Sequence, residues 1–133
     1  MITTYNEYLE KPKAISIEQM QDLHRQILEE VGEDWDAKEL YEELVQTATR
    51  YAEFRGKWLV ISRDERMSID SSRTACHNSM IVKFNMLARY LRMNGHKALW
   101  RDTLGYEEDD KYCRKTIGDF ACYIVFINSI NAR

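Results

Sequence analysis

Proline occurs once in this chain, at Pro12, and glycine only five times in 133 residues. Tight turns draw on those two residues because they supply fixed or left-handed backbone, so a many-stranded sheet has too few of them here. Long helices joined by short connections need few. The chain is therefore expected to be all-α. Its 133 residues suffice for one continuous core and are read as one domain.

Capping signals and apolar spacing divide it into a single-domain bundle of four main helices. In SIEQMQDLHRQILEEVG, Ser16 caps a first helix over about residues 16–31 and Gln19 completes a capping box. Met20, Leu23, Ile27 and Val31 repeat on one face before Gly32 ends it. A second box, Asp36 with Glu39, opens a second helix over about 36–60, with Leu40, Tyr41, Leu44, Val45, Ala48, Tyr51 and Ala52 at helical spacing. Gly56 is one stopping point for it, and WLVIS reads as its continuation rather than as a lone strand.

RDERMSIDSS reads as an exposed loop, after which Asp70, Ser71 or Ser72 caps a third helix over about 71–94 that stops at Asn94-Gly95. A connection of about fifteen residues follows, with one short helical turn in ALWRDTLG closed by Gly105. The fourth helix, over about 109–131, is apolar nearly all round from Ile117 to Ile127. A helix without a polar face is surrounded by protein, so this C-terminal helix is expected to be central. Residues 1–14 form an N-terminal arm and residues 15–133 the helical domain.

Composition narrows the function classes. A formal charge of −3 disfavours a nucleic-acid coat, which needs a basic surface to displace counterions. A link as long as RDERMSIDSS also does not fit the short turn of a helix-turn-helix, so nucleic acid is an unlikely partner. No apolar run reaches membrane-spanning length and MITTYNEYLEKPK is not a signal peptide, which together point to the cytoplasm and no membrane. Cys76, Cys113 and Cys122 lack a CxxC pair and read as free thiols. His24, His77 and His96 show no metal-ligand spacing with them. No phosphate loop, dinucleotide fingerprint or hydrolase elbow is present, and no cofactor and no catalytic residue are assigned.

What stands out is polar chemistry on apolar faces. On the third helix Arg73 and His77, four residues apart, share the sector of Met80, Phe84, Leu87 and Leu91. On the fourth, Gly118 and Asp119 interrupt the most apolar stretch, and Asn128 shares the face of Ile117, Ala121 and Ile124. A buried aspartate needs a cation or several donors. Arg73, Arg101, Arg114 and His77 are the candidates to meet Asp119. One outcome is a structural cluster of Asp119, Asn128 and Arg73 that fixes helix register. The other is a pocket in which Arg73, Arg101 and Arg114 hold an anionic ligand while Asp119 orients His77. The clamp is the simpler of the two. Trp100 beside Arg101 is either a ring-stacking platform for such a ligand or a hydrophobic plug.

The segments SRTACHN and RKTIGDFACYIVFINSINAR resemble a small uncharacterised family of the kind found in Gram-positive bacteria and their mobile elements. The resemblance spans about residues 60–133 and implies no activity, substrate or site residue. The expected function is that of a helical interaction or regulatory protein, with a protein partner or a homodimer. The alternative is a binder of a small anionic ligand, a nucleotide or other phosphate or carboxylate compound, between the third and fourth helices.

Overall fold

Ser16 opens the first helix through a reciprocal box: its hydroxyl accepts from the Gln19 amide and the Gln19 side chain accepts from the Ser16 amide. The computed structural model describes residues 13–58, 60–104 and 111–131, with side chains over 116–129 in the last stretch. Its helices are α1 (Ile17–Val31), α2 (Trp35–Trp58), α3 (Arg63–Met93), α4 (Leu99–Thr103) and α5 (Lys111–Asn131). Among the described residues the protein is all-α, without a strand, and its four long helices pack as a bundle with the short α4 against it. No helix among them is long and apolar enough to cross a membrane. Of the arm expected over 1–14, only Lys13 and Ala14 fall within the described residues, and Gly105 and the Cys113 side chain fall outside them.

Two helix starts differ from expectation. The second helix begins at Trp35, and its first turn is closed by Asp34 rather than by the Asp36–Glu39 box. The Asp34 carboxylate accepts from the amides of Asp36 at 3.0 Å and Ala37 at 3.2 Å, the donors a capping side chain reaches. It also accepts from the Tyr90 hydroxyl, at 2.9 and 2.8 Å to its two oxygens. That choice ties the start of α2 to α3, which Asp36 cannot do from its exposed position. Gly56 does not stop the helix; it lies buried within it, and α2 ends at Trp58.

The larger correction concerns RDERMSIDSS, which is helix and not loop. α3 starts at Arg63, capped by Ser62, whose Oγ accepts from the Glu65 amide at 3.2 Å. Asp64 and Glu65 place negative charge against the helix dipole. Asp70, Ser71 and Ser72 therefore sit inside the helix and cap nothing. The first two turns lack an apolar stripe because they project past the core, where Trp58 rather than a helix face is their neighbour. The link between α2 and α3 is then only four residues long, so a long linker no longer argues against a helix-turn-helix. The geometry does: the two helices run antiparallel along their whole length. Trp58 meets Arg66 and Arg73, Tyr51 meets His77, Glu43 meets Lys83, and Asp34 meets Tyr90.

α5 occupies the position its composition suggests. Every residue from Thr116 to Ile124 is buried, so this stretch is covered on all sides. It packs chiefly on α2, and Phe120 stacks with Phe84 of α3 and with Tyr123. Close approach of α2 and α5 depends on Gly118, where an added Cβ would lie 2.8 Å from the Tyr51 hydroxyl. At the other end of the bundle α4 plugs the core with Trp100, which is fully buried against Phe84. Ala98, before α4, adopts a left-handed φ of 46° and has no side-chain cap to help it. Glu30 of α1 holds the segment instead, accepting from the Ala98 amide at 3.1 Å and the Trp100 indole at 2.7 Å.

Candidate functional site: a buried ion pair and an exposed helix face

Asp119 is fully buried, as its place in an apolar run predicts, and its cation is Arg55 of α2. The Arg55 Nη2 stands 2.5 Å from one carboxylate oxygen, and the other accepts from the Ala14 amide at 2.8 Å. Expecting Arg73 or Arg101 to take that place was incorrect. Arg55 continues the seam of Leu44, Ala48 and Tyr51 at alternating spacings of four and three residues, which is the sequence signal for it. Its place near the end of the helix hides that signal, because a basic residue in a last turn reads as a solvated one.

Burial works against the Arg55 charge, but Cys122, Tyr51 and Asp119 around it more than compensate, and it holds its proton more tightly than a free arginine. The Cys122 thiol, 3.8 Å from the Arg55 Nη1, is pushed up to about 11 by burial and is protonated at neutral pH. It is not a nucleophile there. Burial likewise raises the Tyr51 hydroxyl, with Arg55 and Arg73 pulling the other way.

The other expected site residues are divided among separate places. Arg73 lies over the Trp58 ring, 4.6 Å from its centroid, and donates to Asp70 at 3.0 Å. Arg66, two turns earlier on α3, lies 5.6 Å from the same ring, so the indole sits between two guanidiniums. His77 is buried against Tyr51 with ring centroids 5.3 Å apart. Arg73 and His77 thus border the Arg55–Asp119 pair through Tyr51. Arg101 is buried elsewhere, its Nε donating to Asn85 Oδ1 at 2.6 Å. Trp100 is the plug and not a platform. The Arg114 side chain lies outside the described residues.

Asn128 does not join Asp119 and Arg73 either. Its amide donates to the Tyr41 hydroxyl at 3.1 Å and to the Ile124 carbonyl at 2.9 Å. His24 Nε2 lies 2.7 Å from the same hydroxyl and its ring meets Tyr123 edge-on. Burial lowers the His24 pKa, so its neutral form is the one that packs. The apolar positions of the first helix, Met20, Leu23, Ile27 and Val31, have His24 on the same face, and that spacing is the signal for this network.

None of Arg55, Arg73, His77, Trp100, Arg101, Asp119 and Asn128 lines the open groove of about 330 Å³ beside α1, which is formed by Ile15, Glu18, Gln19, Leu23 and Thr103 among others. No group of three metal-ligating side chains gathers among the described residues.

The surface carries a second feature. α1 presents Glu18, Asp22, Arg25 and Glu29 to solvent, and α2 presents Asp36, Glu39, Glu42, Arg50 and Glu53. The outer face of α3 differs: Val82, Met86 and Met93 are 52%, 40% and 79% exposed, with exposed Arg89 between them. Trp35, 80% exposed, lies at the same end, next to the Asp34 that Tyr90 holds. A soluble surface gains nothing from apolar side chains in a row, whereas an interface core is rich in Met, Trp and Arg and poor in acids. Compared with known proteins, the chain matches no family model, no curated protein and no solved structure.

Proposed function

We propose that this protein is an interaction module that docks another macromolecule on the outer face of α3. The observation that carries the reading is the exposed row of Val82, Met86, Arg89 and Met93 on α3, where the outer faces of α1 and α2 expose charges. Rigid backbone supports it, because residues of a 31-residue helix packed along α2 keep their spacing in the free protein.

The pocket for an anion between the third and fourth helices receives less support. The Asp119 carboxylate is committed to Arg55 and the Ala14 amide, and Arg101 lies against Asn85, away from Arg73. That arrangement resembles a clamp on helix register more than a cleft.

A photo-crosslinking residue at position 86, in the full chain and in its native cell, tests the proposal. Position 46 on the exposed side of α2 serves as the control. Adducts at 86 and not at 46 are expected. Equal labelling at both positions, or none at 86, overturns the docking role.

A further inference from the structure

We infer that the occupant of the α3 face is a second copy of this chain, laid antiparallel across it; this rests on the docking role proposed above. The exposed positions Ala75, Ser79, Val82, Met86, Arg89 and Met93 recur at alternating spacings of four and three residues. That is the repeat by which two helices keep a common seam. It lies opposite the inward stripe of Met80, Phe84, Leu87 and Leu91, so α3 carries one seam for its own core and another for the outside.

The order of side chains along the outer seam is self-complementary. With a two-fold axis passing level with Phe84, Met86 of one copy faces Val82 of the other, Arg89 faces Ser79, and Met93 faces Ala75. Two of these layers set a long side chain against a small one, and the central layer sets methionine against valine. Facing seams fill space in this way. A two-fold axis generates every contact twice, so three kinds of layer build six. The parallel arrangement instead stacks Arg89 on Arg89 and Met93 on Met93, joining like charges and leaving Ala75 across from Ala75 and Ser79 across from Ser79.

Charge agrees with the antiparallel choice. The seam holds no acid and no lysine, the composition of an interface core rather than a rim. Lys83, which flanks the axis in both copies, is already paired with Glu43 at 3.3 Å, so its approach to its symmetry mate is compensated on each side. Arg89 meets a serine hydroxyl and keeps its end at the seam border, where water reaches it.

The test uses the full chain with Cys76 and Cys113 replaced by serine. Light scattering across about 1 to 100 µM, the span in which interfaces of ordinary size associate, is expected to show a dimer. Met86→Asp should weaken it about tenfold or more while leaving the helical circular-dichroism signal unchanged. A mixture of V82C and M86C chains should form a heterodisulfide under mild oxidation much faster than either chain alone. A dimer that ignores Met86→Asp, or that links V82C to itself as readily, overturns the inference. So does a monomer throughout the range. In that case, adducts from position 86 to a different protein leave the docking face standing, and their absence removes both.

Discussion

Arg55 and Asp119, 64 residues apart in the chain, meet at 2.5 Å beneath the Tyr51 ring and the Gly118 backbone. The carboxylate is buried and the guanidinium keeps 31% of its side chain exposed. Desolvation therefore falls mainly on the acid, and removing the guanidinium would leave a buried carboxylate short of its countercharge.

Arg55→Ala is accordingly expected to lower stability by about 3 kcal/mol, the low end for a broken buried pair because water reaches one side of it. Arg73→Ala removes a stack on Trp58 and a bond to the half-exposed Asp70, and should cost only about 1 kcal/mol. Urea unfolding of the two variants checks the ranking. Equal losses, or a larger loss for Arg73, contradict it.

Gly118→Ala sets two effects against each other. Alanine gains about 1 kcal/mol of helix propensity over glycine. Its Cβ, however, would stand 2.8 Å from the hydroxyl of Tyr51, a stiff and buried side chain, and 3.2 Å from Arg55 Nη1. Overpacking of this kind costs about 1–3 kcal/mol, so net destabilisation is expected. Tyr51→Phe in the same chain removes the clashing oxygen and should recover part of the loss. Thermal unfolding of the single and double variants decides it.

These two sites mark where sequence reasoning succeeds and stops. The all-α class follows from the shortage of Gly and Pro, and the burial of Asp119 follows from its apolar neighbours. Its partner does not, because Arg55 stands in the last turn of α2, where a basic residue reads as a solvated one against the helix dipole. The first turns of α3 are illegible for a different reason. Arg63 to Asp70 have no core to face, so no periodicity marks them, and Ser62 with Glu65 is their only local signal. Arg73 and His77 were legible as inward-leaning residues, but which neighbour each would find depends on tertiary register.

Stability should fall as the solution is acidified below about pH 6.5, the ordinary histidine value. Burial lowers the folded-state pKa of His24, so below pH 6.5 the unfolded chain takes up a proton that the folded chain resists. The contribution is complete above that pH and is lost progressively on the way down to the lowered folded value. His24→Gln should flatten this part of the profile, read as the urea midpoint between pH 7.5 and pH 5, the interval in which histidine titrates. An unchanged slope would rule His24 out as its source.

Glu30→Gln tests how α4 is held. The carboxylate serves two donors, the Ala98 amide and the Trp100 indole, and an amide side chain turns one of its acceptors into a donor. One bond is lost, and a loss of about 1–2 kcal/mol is expected. Hydrogen exchange at the Trp100 indole should accelerate more than exchange in α1. Uniform acceleration across both points to global unfolding instead.

The three indoles occupy three unlike surroundings: Trp35 in solvent, Trp58 between two arginines, and Trp100 sealed in the core. Light emitted by each will differ in colour and in quenching, so chains retaining one tryptophan at a time report separately on the tip, the hairpin bend and the interior. The molecule carries its own set of optical gauges, and no dye need be attached to see which part loosens first.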